Sequence, residues 1–305
     1  MKIAVIGAGA MGGLWASQLT ASGHEVTVVD VSESVVERIR AEGLEVEGPG
    51  GERTTSHPRA TTHSESIGVV DVVFFFVKAA HTDSAARVAV SLVAESTIVA
   101  TLQNGWGNAD VLAGHFRPAQ IVMGVTYNSA TVRAPGQIAH TGSGPSFIGS
   151  YEKSGPPPNE LAELQDSADL PTTIAGDIRQ EVWKKLILNA VTLPTSALTG
   201  LTAGALGSSA VMSDLLKALC DESVAVANAM GLGIDPSERL STIHAVLERA
   251  GAGKASMLQD VEARRKTEIE VINEAVVKEA ARYDLAVPLN SAMTSLVKAL
   301  EGGYL

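Results

Sequence analysis

Lys2-Ile3-Ala4-Val5-Ile6-Gly7-Ala8-Gly9-Ala10-Met11-Gly12 sets out an apolar run, a glycine-rich turn and the start of a helical pattern. A G-x-G-x-x-G string alone is a weak signal. It gains meaning when a strand precedes it, a helix follows it, and a second strand ends in an acidic residue about 20 residues on. All three conditions hold, because Glu25–Asp30 reads as that second strand. Gly7 permits the tight turn, Gly9 lets backbone approach a pyrophosphate, and Gly12 lets the helix pack closely on the strand. The unpaired N–H groups at the helix start, in the positive end of its dipole, favour a phosphate there. The whole turn, Gly7 to Gly12 with Ala8, Ala10 and Met11 between, is therefore expected to bind a dinucleotide. Asp30 bears on which one. A carboxylate there accepts hydrogen bonds from ribose hydroxyls and repels a 2′-phosphate, and Val31 and Ser32 follow it rather than an arginine. That favours NADH; Arg38 and Arg40 lie close enough in sequence to keep NADPH open.

Working outward, Ile3–Ile6, Glu25–Asp30, Val72–Val77, Thr97–Leu102 and Ile121–Thr126 read as strands. Met11–Ala21, Ser34–Ala41, Ser84–Val93 and Asn108–His115 between them read as helices. This alternation predicts a parallel sheet covered on both faces. Thr131–Ser150 reads as an antiparallel hairpin closing that sheet, Ser154–Asn159 as a linker, and Pro171–Ile174 as a further extended piece. From Arg179 onward the apolar spacing is helical, over Trp183–Thr192, Ser213–Met230, Ser237–Ala250, Thr267–Tyr283 and Ser291–Leu300. The expected architecture is α/β: a Rossmann dinucleotide-binding domain over residues 1–176, then an all-helical domain over 177–305.

Composition excludes several classes. A chain of 305 residues suits two domains and a full core without disulfides. Its one cysteine, Cys220, forms no internal bridge, and no Cys/His pairs stand at zinc-ligand spacing, so no metal site is expected. With 23 basic and 34 acidic residues and no dense Lys/Arg stripe, nucleic acid is not an expected partner. The apolar start is broken by glycine too soon for a signal peptide, and no stretch reaches the roughly 20 apolar residues of a membrane span. A soluble cytoplasmic protein is the expectation.

In Glu181-Val182-Trp183-Lys184-Lys185-Leu186-Ile187-Leu188-Asn189, Lys185 and Asn189 stand at i, i+4 on one helical face. An ammonium beside a carboxamide suits a 2-oxo acid: the cation donates a proton to the ketone oxygen while the amide holds the substrate. Lys184 points about 100° away from Lys185 on the same helix, so sharing a face with Asn189 selects Lys185. Thr267-x-x-Glu270 reads as a capping box, which places Glu268 in the first turn of a helix.

Over essentially its whole length the chain resembles the ketopantoate reductases (2-dehydropantoate 2-reductases). The residues that carry the resemblance are Gly7–Gly12, Phe76-Val77-Lys78, Gln103-Asn104-Gly105, Trp183 to Asn189, Ala197-Leu198-Thr199-Gly200, and Ser256-Met257-Leu258-Gln259-Asp260 through Thr267 to Glu270. The resemblance implies NAD(P)H-dependent reduction of a small 2-oxo acid, ketopantoate, to the 2-hydroxy acid, and a homodimer. It implies Lys185 as general acid and Glu268 as the catalytic residue that orients substrate. Asn189, Ser256 and Asn104 would bind substrate, Ser256 by its carboxylate. Lys78, Asn104, Ala130 and Glu268 would contact the cofactor.

Three positions depart from the family pattern. Leu193, Ala203 and Gly253 stand where these enzymes commonly carry asparagine, and a site built to bond a hydroxyl discriminates only while its amides are present. A different, more apolar 2-oxo acid thus stays open beside ketopantoate, as does a nucleotide-sensing module without catalysis. The β-hydroxyacid dehydrogenases share a Lys-x-x-x-Asn pair but usually place glycine-rich sequence where Trp183–Lys185 stands. His81 reads as a helix-entry residue, Trp183 as interdomain packing, Cys220 as a small buried hydrophobe, and Gly105-Trp106-Gly107 as a turn over the nicotinamide.

Overall fold

Among the described residues the first half folds into eight strands of one sheet and four of another, five of them the apolar runs Ile3–Ile6, Glu25–Asp30, Val72–Val77, Thr97–Leu102 and Ile121–Thr126. The structure, a computed structural model, describes residues 1–152, 155 and 158–305. Ser154, Pro156 and Pro157 of the expected linker therefore lie outside the described residues. In chain order the first half runs β1 (Lys2–Ile6), α1 (Ala10–Ala21), β2 (Glu25–Val29), α2 (Glu33–Glu42), β3 (Leu44–Glu47), β4 (Arg53–Ser56), β5 (Arg59–Thr61) and β6 (Val72–Phe75). It continues with α3 (Thr82–Ala89), β7 (Ile98–Thr101), α4 (Asn108–Ala113), β8 (Ile121–Thr126), β9 (Ser129–Ala134), β10 (Gln137–Gly142), β11 (Ser146–Ser150), α5 (Asn159–Asp166) and β12 (Thr172–Ile174). The main sheet has the order β12-β11-β8-β7-β6-β1-β2-β5. From β5 to β8 its neighbours pair in parallel. Ile3, Val5, Phe74 and Ala100 of this sheet, with Leu14 and Leu19 of α1, are wholly buried in one core.

Two expectations need correction here. The run Val72–Val77 leaves the sheet early: the strand ends at Phe75, and the Val77 carbonyl accepts from Gln103 Nε2 (2.6 Å) instead of a neighbouring strand. The hairpin expected at Thr131–Ser150 does not close the main sheet. β9 and β10 pair with each other and join β3 and β4 in a separate four-stranded sheet, ordered β4-β3-β10-β9. Gly144 and Pro145 follow β10, and after them β11 runs antiparallel to β8 at the main sheet's far side. The second sheet lies on α1, where a side chain at Gly13 would collide with Ile138 of β10. Its strands β3 and β4 are four residues each, with only Leu44, Val46 and Ser56 buried, so they carried little sequence signal.

The second half is α6 (Ile178–Thr199), α7 (Ala203–Gly207), α8 (Ala210–Ala229), α9 (Pro236–Ala250), α10 (Ser256–Glu262), α11 (Asn273–Ala281) and α12 (Pro288–Gly302). Pro194 lies inside α6, where it has no N–H to offer the Ala190 carbonyl. The buried Asn273 supplies that missing donor, with its Nδ2 2.9 Å from the Ala190 oxygen. The helix expected to begin at the Thr267 capping box does not. A single tight turn, Ile269–Val271, comes first and α11 starts only at Asn273. The box fails because its members bond elsewhere: Glu270 pairs with Lys266, and the Thr267 N–H donates to Glu301 (2.6 Å).

The chain divides into two units, Met1–Gln103 with Asn108–Ile178, and Asn104–Gly107 with Arg179–Leu305. Four residues between β7 and α4 thus belong with the helices. No helix among the described residues is long and apolar enough to cross a membrane.

Candidate active site

The chain order of the main sheet reverses between β1 and β6, and in open α/β sheets ligands bind at the carboxyl ends of strands beside such a reversal. Three sequence-predicted segments meet there. The Gly7–Gly12 turn leaves β1, Asp30 follows β2, and Lys78 follows β6. Ile6 is in register with Val29 on one side and Phe75 on the other, so these segments leave adjacent strand ends.

Gly7 adopts φ +99°, a conformation L side chains rarely take. A Cβ at Gly12 would collide with the Gly7 carbonyl oxygen, whereas one at Gly9 would meet nothing within 4 Å. The turn is therefore closed toward its own helix and open at Gly9, on which side backbone N–H groups at the start of α1 are available to a pyrophosphate. Asp30 braces the turn as well as facing it. Its Oδ2 accepts the Ala8 N–H (2.7 Å) and its Oδ1 the Ser32 N–H (2.9 Å), leaving carboxylate lone pairs for ribose hydroxyls. Arg38 is paired with Glu42, and Arg40 bonds the Ala60 carbonyl (2.8 Å), so both guanidiniums have partners of their own. Ala8, Met11 and Ala130 are partly buried against the sheet core. The residues present fit a dinucleotide.

The helical unit gathers a different set. On α6 the two adjacent lysines separate as helical geometry requires. Lys184 pairs with Glu181 (2.8 Å), while Lys185 is partly buried, one turn before the buried Asn189. Burial pushes the Lys185 ammonium down to about 8, and the Glu268 carboxylate pulls part of that shift back. Glu268 sits just before the tight turn Ile269–Val271, not inside a helix, and accepts from Asn104 Nδ2 (3.4 Å). Lys185, Asn189, Glu268 and Asn104 therefore belong to one unit and one constellation. Ser256 belongs to the same unit as the exposed first residue of α10; its hydroxyl bonds to none of those four. Lys78 and Ala130 lie in the other unit.

Chemically, an ammonium near neutral pKa gives up its proton to a carbonyl oxygen more readily than an ordinary lysine does, yet is largely charged at pH 7. A carboxylate and two carboxamides around it supply the acceptors and donors that fix a small polar substrate.

Sequence reading missed three contributors. Gln103 bonds the Val77 carbonyl and Thr82 Oγ1 (2.9 Å), tying the loop after β7 to the loop after β6. Asn273 repairs the Pro194 gap next to Asn189. Glu279 is a buried acid on the face of α11 that also buries Ala275 and Val276, and a charge at an apolar-face position was the available signal. Gly105-Trp106-Gly107, read as a turn over the nicotinamide, clusters with the helical unit. Trp183 is fully buried against it, His81 directly precedes α3, and Cys220 is fully buried.

A dinucleotide turn in one unit and a lysine–glutamate pair in the other define a nicotinamide-dependent oxidoreductase. The family described as Ketopantoate reductase PanE/ApbA matches residues 3–153, and its C-terminal part matches residues 177–301. The chain belongs to this family. It is 30% identical over 299 residues to the 2-dehydropantoate 2-reductase of Halobacterium salinarum, covering 98% of both chains. The crystal structure of a PanE/ApbA family ketopantoate reductase from Ralstonia eutropha superposes with a TM-score of 0.91 at 29% identity, over 100% of this chain and 99% of that one. The ternary structure of D-mandelate dehydrogenase with NADH and anilino(oxo)acetate superposes with a TM-score of 0.93 at 25% identity, again over 100% and 99%.

Proposed function

We propose that the chain reduces the C2 carbonyl of a 2-oxo acid to the 2-hydroxy acid, with ketopantoate to pantoate as the reaction its family membership favours. The observation that carries this is Lys185, partly buried with its pKa near 8 beside Glu268. A bound reduced nicotinamide supplies the hydride. The Lys185 ammonium gives its proton to the ketone oxygen, Glu268 and Asn189 orient the substrate, and Asn104 holds Glu268. Ser256 at the start of α10 receives the substrate carboxylate. Gly7–Gly12 holds the pyrophosphate, and Lys78 and Ala130 line the nicotinamide side. In this reading residues 1–176 serve the cofactor, and residues 177–305, with the Asn104–Gly107 segment, serve the substrate and a homodimer contact. The unpaired buried thiol of Cys220 suits a reducing, cytoplasmic setting.

For the cofactor we favour NADH. Asp30 offers a ribose acceptor, and the two nearby arginines that would serve a 2′-phosphate are engaged by Glu42 and Ala60.

A second reading concerns the substrate. Leu193 is buried, and Ala203 donates its N–H to the Gly253 carbonyl (3.0 Å), so two of the positions lacking an amide are neighbours. Fewer donors there favour an apolar side chain on the oxo acid, and one structural neighbour is a D-mandelate dehydrogenase. Steady-state kinetics with ketopantoate, phenylglyoxylate and small aliphatic 2-oxo acids, each with NADH and NADPH, tests both readings. The higher kcat/KM decides between ketopantoate and an apolar acid. NADH binding without turnover of any acid leaves a nucleotide sensor and refutes the enzyme.

A further inference from the structure

The segment Asn104–Gly107 reaches the helical unit from β7, and its contacts fall on α6, which carries Lys185, on the turn beside Glu268, and on α11. Gly105, at φ +90°, lies so close to Val271 that a side chain there would collide with the Val271 carbonyl oxygen. That same oxygen accepts the Trp106 N–H (2.9 Å). Val271 ends the tight turn that starts after Glu268, and its own N–H bonds the Glu268 carbonyl (3.1 Å). The segment thus grips this turn at both ends, by backbone at Val271 and by the Asn104 side chain at Glu268 itself.

Trp106 adds two further contacts. Its indole Nε1 donates to Glu279 Oε1 (3.1 Å) on α11, and Arg282 closes on the same carboxylate (3.0 Å). Its ring lies 5.7 Å from that of Trp183, two residues before Lys185 on α6. A buried charge is costly unless paired, and apolar residues of similar volume often serve stability as well or better. What Trp106, Glu279 and Arg282 provide over apolar packing is direction: the indole ring is held at one orientation against α6.

The geometry points to Trp106 as a positioning residue for the reaction, its indole bond to Glu279 and ring contact with Trp183 setting Lys185 and Glu268 against each other. It touches neither substrate nor cofactor in this role; it acts through α6 and the turn before α11. The inference rests on the proposed roles of Lys185 and Glu268. Misplacement of reacting groups by about 1 Å costs up to about 10²-fold in rate, so loss of the ring should be visible in kcat.

The test uses the full chain with NADH and ketopantoate or phenylglyoxylate, whichever the wild type reduces faster. Trp106→Ala should lower kcat by at least about tenfold, on that scale. Trp106→Phe, which keeps a ring and loses the N–H, should lower it severalfold while NADH affinity stays unchanged. Glu279→Gln retains the acceptor oxygen and should keep near-normal kcat, whereas Glu279→Leu should fall with Trp106→Phe. Should Trp106→Ala not fold, the phenylalanine and Glu279 variants decide. Unchanged kcat in Trp106→Phe, or equal losses in Glu279→Gln and Glu279→Leu, overturns the inference while Lys185→Ala remains inactive. Full activity in Lys185→Ala instead overturns the catalytic reading and the positioning role with it.

Discussion

The turn after β1 and the constellation around Lys185 are built on opposite plans. The cofactor turn is local: Gly7 to Gly12 are consecutive, and Val29 and Asp30 at the end of the neighbouring strand accept the Gly7 and Ala8 N–H groups. Its shape is decided by backbone, through a positive φ at Gly7 and a helix packed so tightly that Gly12 has no room for a Cβ. The lysine site is non-local. Lys185, Glu268 and Asn104 come from three separate segments, and side chains decide its geometry. A backbone site leaves no room where chain packs on chain, as at Gly12, whereas a side-chain site depends on how its supports are held.

Breaking either half should separate binding from chemistry. The largest effect is expected from Lys185→Ala, which should lower kcat about 10²–10⁴-fold, the scale of a lost general acid, with NADH affinity retained. A kcat within a few-fold of wild type would remove Lys185 from that role. Gly12→Ala should act on the other half: its Cβ meets backbone that has nowhere to go, so NADH affinity, read by fluorescence titration, should weaken tenfold or more, an arrangement the fingerprint glycine exists to protect. Retained affinity would show that the turn has slack.

The pH profile sharpens the comparison. Reduction requires the protonated ammonium, so kcat should fall as pH rises through about 8. Glu268 stabilises the charged form, and Glu268→Gln should therefore move this limb to lower pH. An unmoved limb would assign the ionisation elsewhere. The smallest effect is expected from Asp30→Asn, which keeps an acceptor for the Ala8 N–H but loses the charge that repels a 2′-phosphate. The NADH/NADPH ratio of kcat/KM should narrow severalfold; a constant ratio would leave cofactor choice to other groups.

Legibility in the sequence followed the same division. Strands β1, β2, β6, β7 and β8 and the glycine turn were readable because apolar runs and glycine spacing are local consequences of backbone sterics, whereas the three-residue β5 was not. Lys185 was chosen over Lys184 by helical geometry, and in the structure Lys184 pairs with Glu181. The capping box at Thr267 misled because a local signal was outcompeted by distant partners, Glu301 and Lys266. Strands β3 and β4 escaped notice because each is four residues long, β3 burying only Leu44 and Val46 and β4 only Ser56, and the β9–β10 hairpin was assigned to the wrong sheet because pairing partners leave no trace in hairpin periodicity. Asn104 was singled out by resemblance, but its place with the helices, on Glu268, came only from folding.

Sequence alone determined the dinucleotide turn, the alternation that builds the parallel sheet, and the face of α6 that presents Lys185 and Asn189, since each depends on residues within a few turns or one strand of each other. Tertiary structure decided the setting of Glu268, the attachment of Asn104 and Trp106 to it, the Asn273 donor that repairs the Pro194 gap, and the depressed basicity of Lys185. These depend on desolvation and on contacts between segments more than eighty residues apart in most cases, as for Asn273 with Ala190, and no spacing rule along the chain encodes which distant group removes water from another.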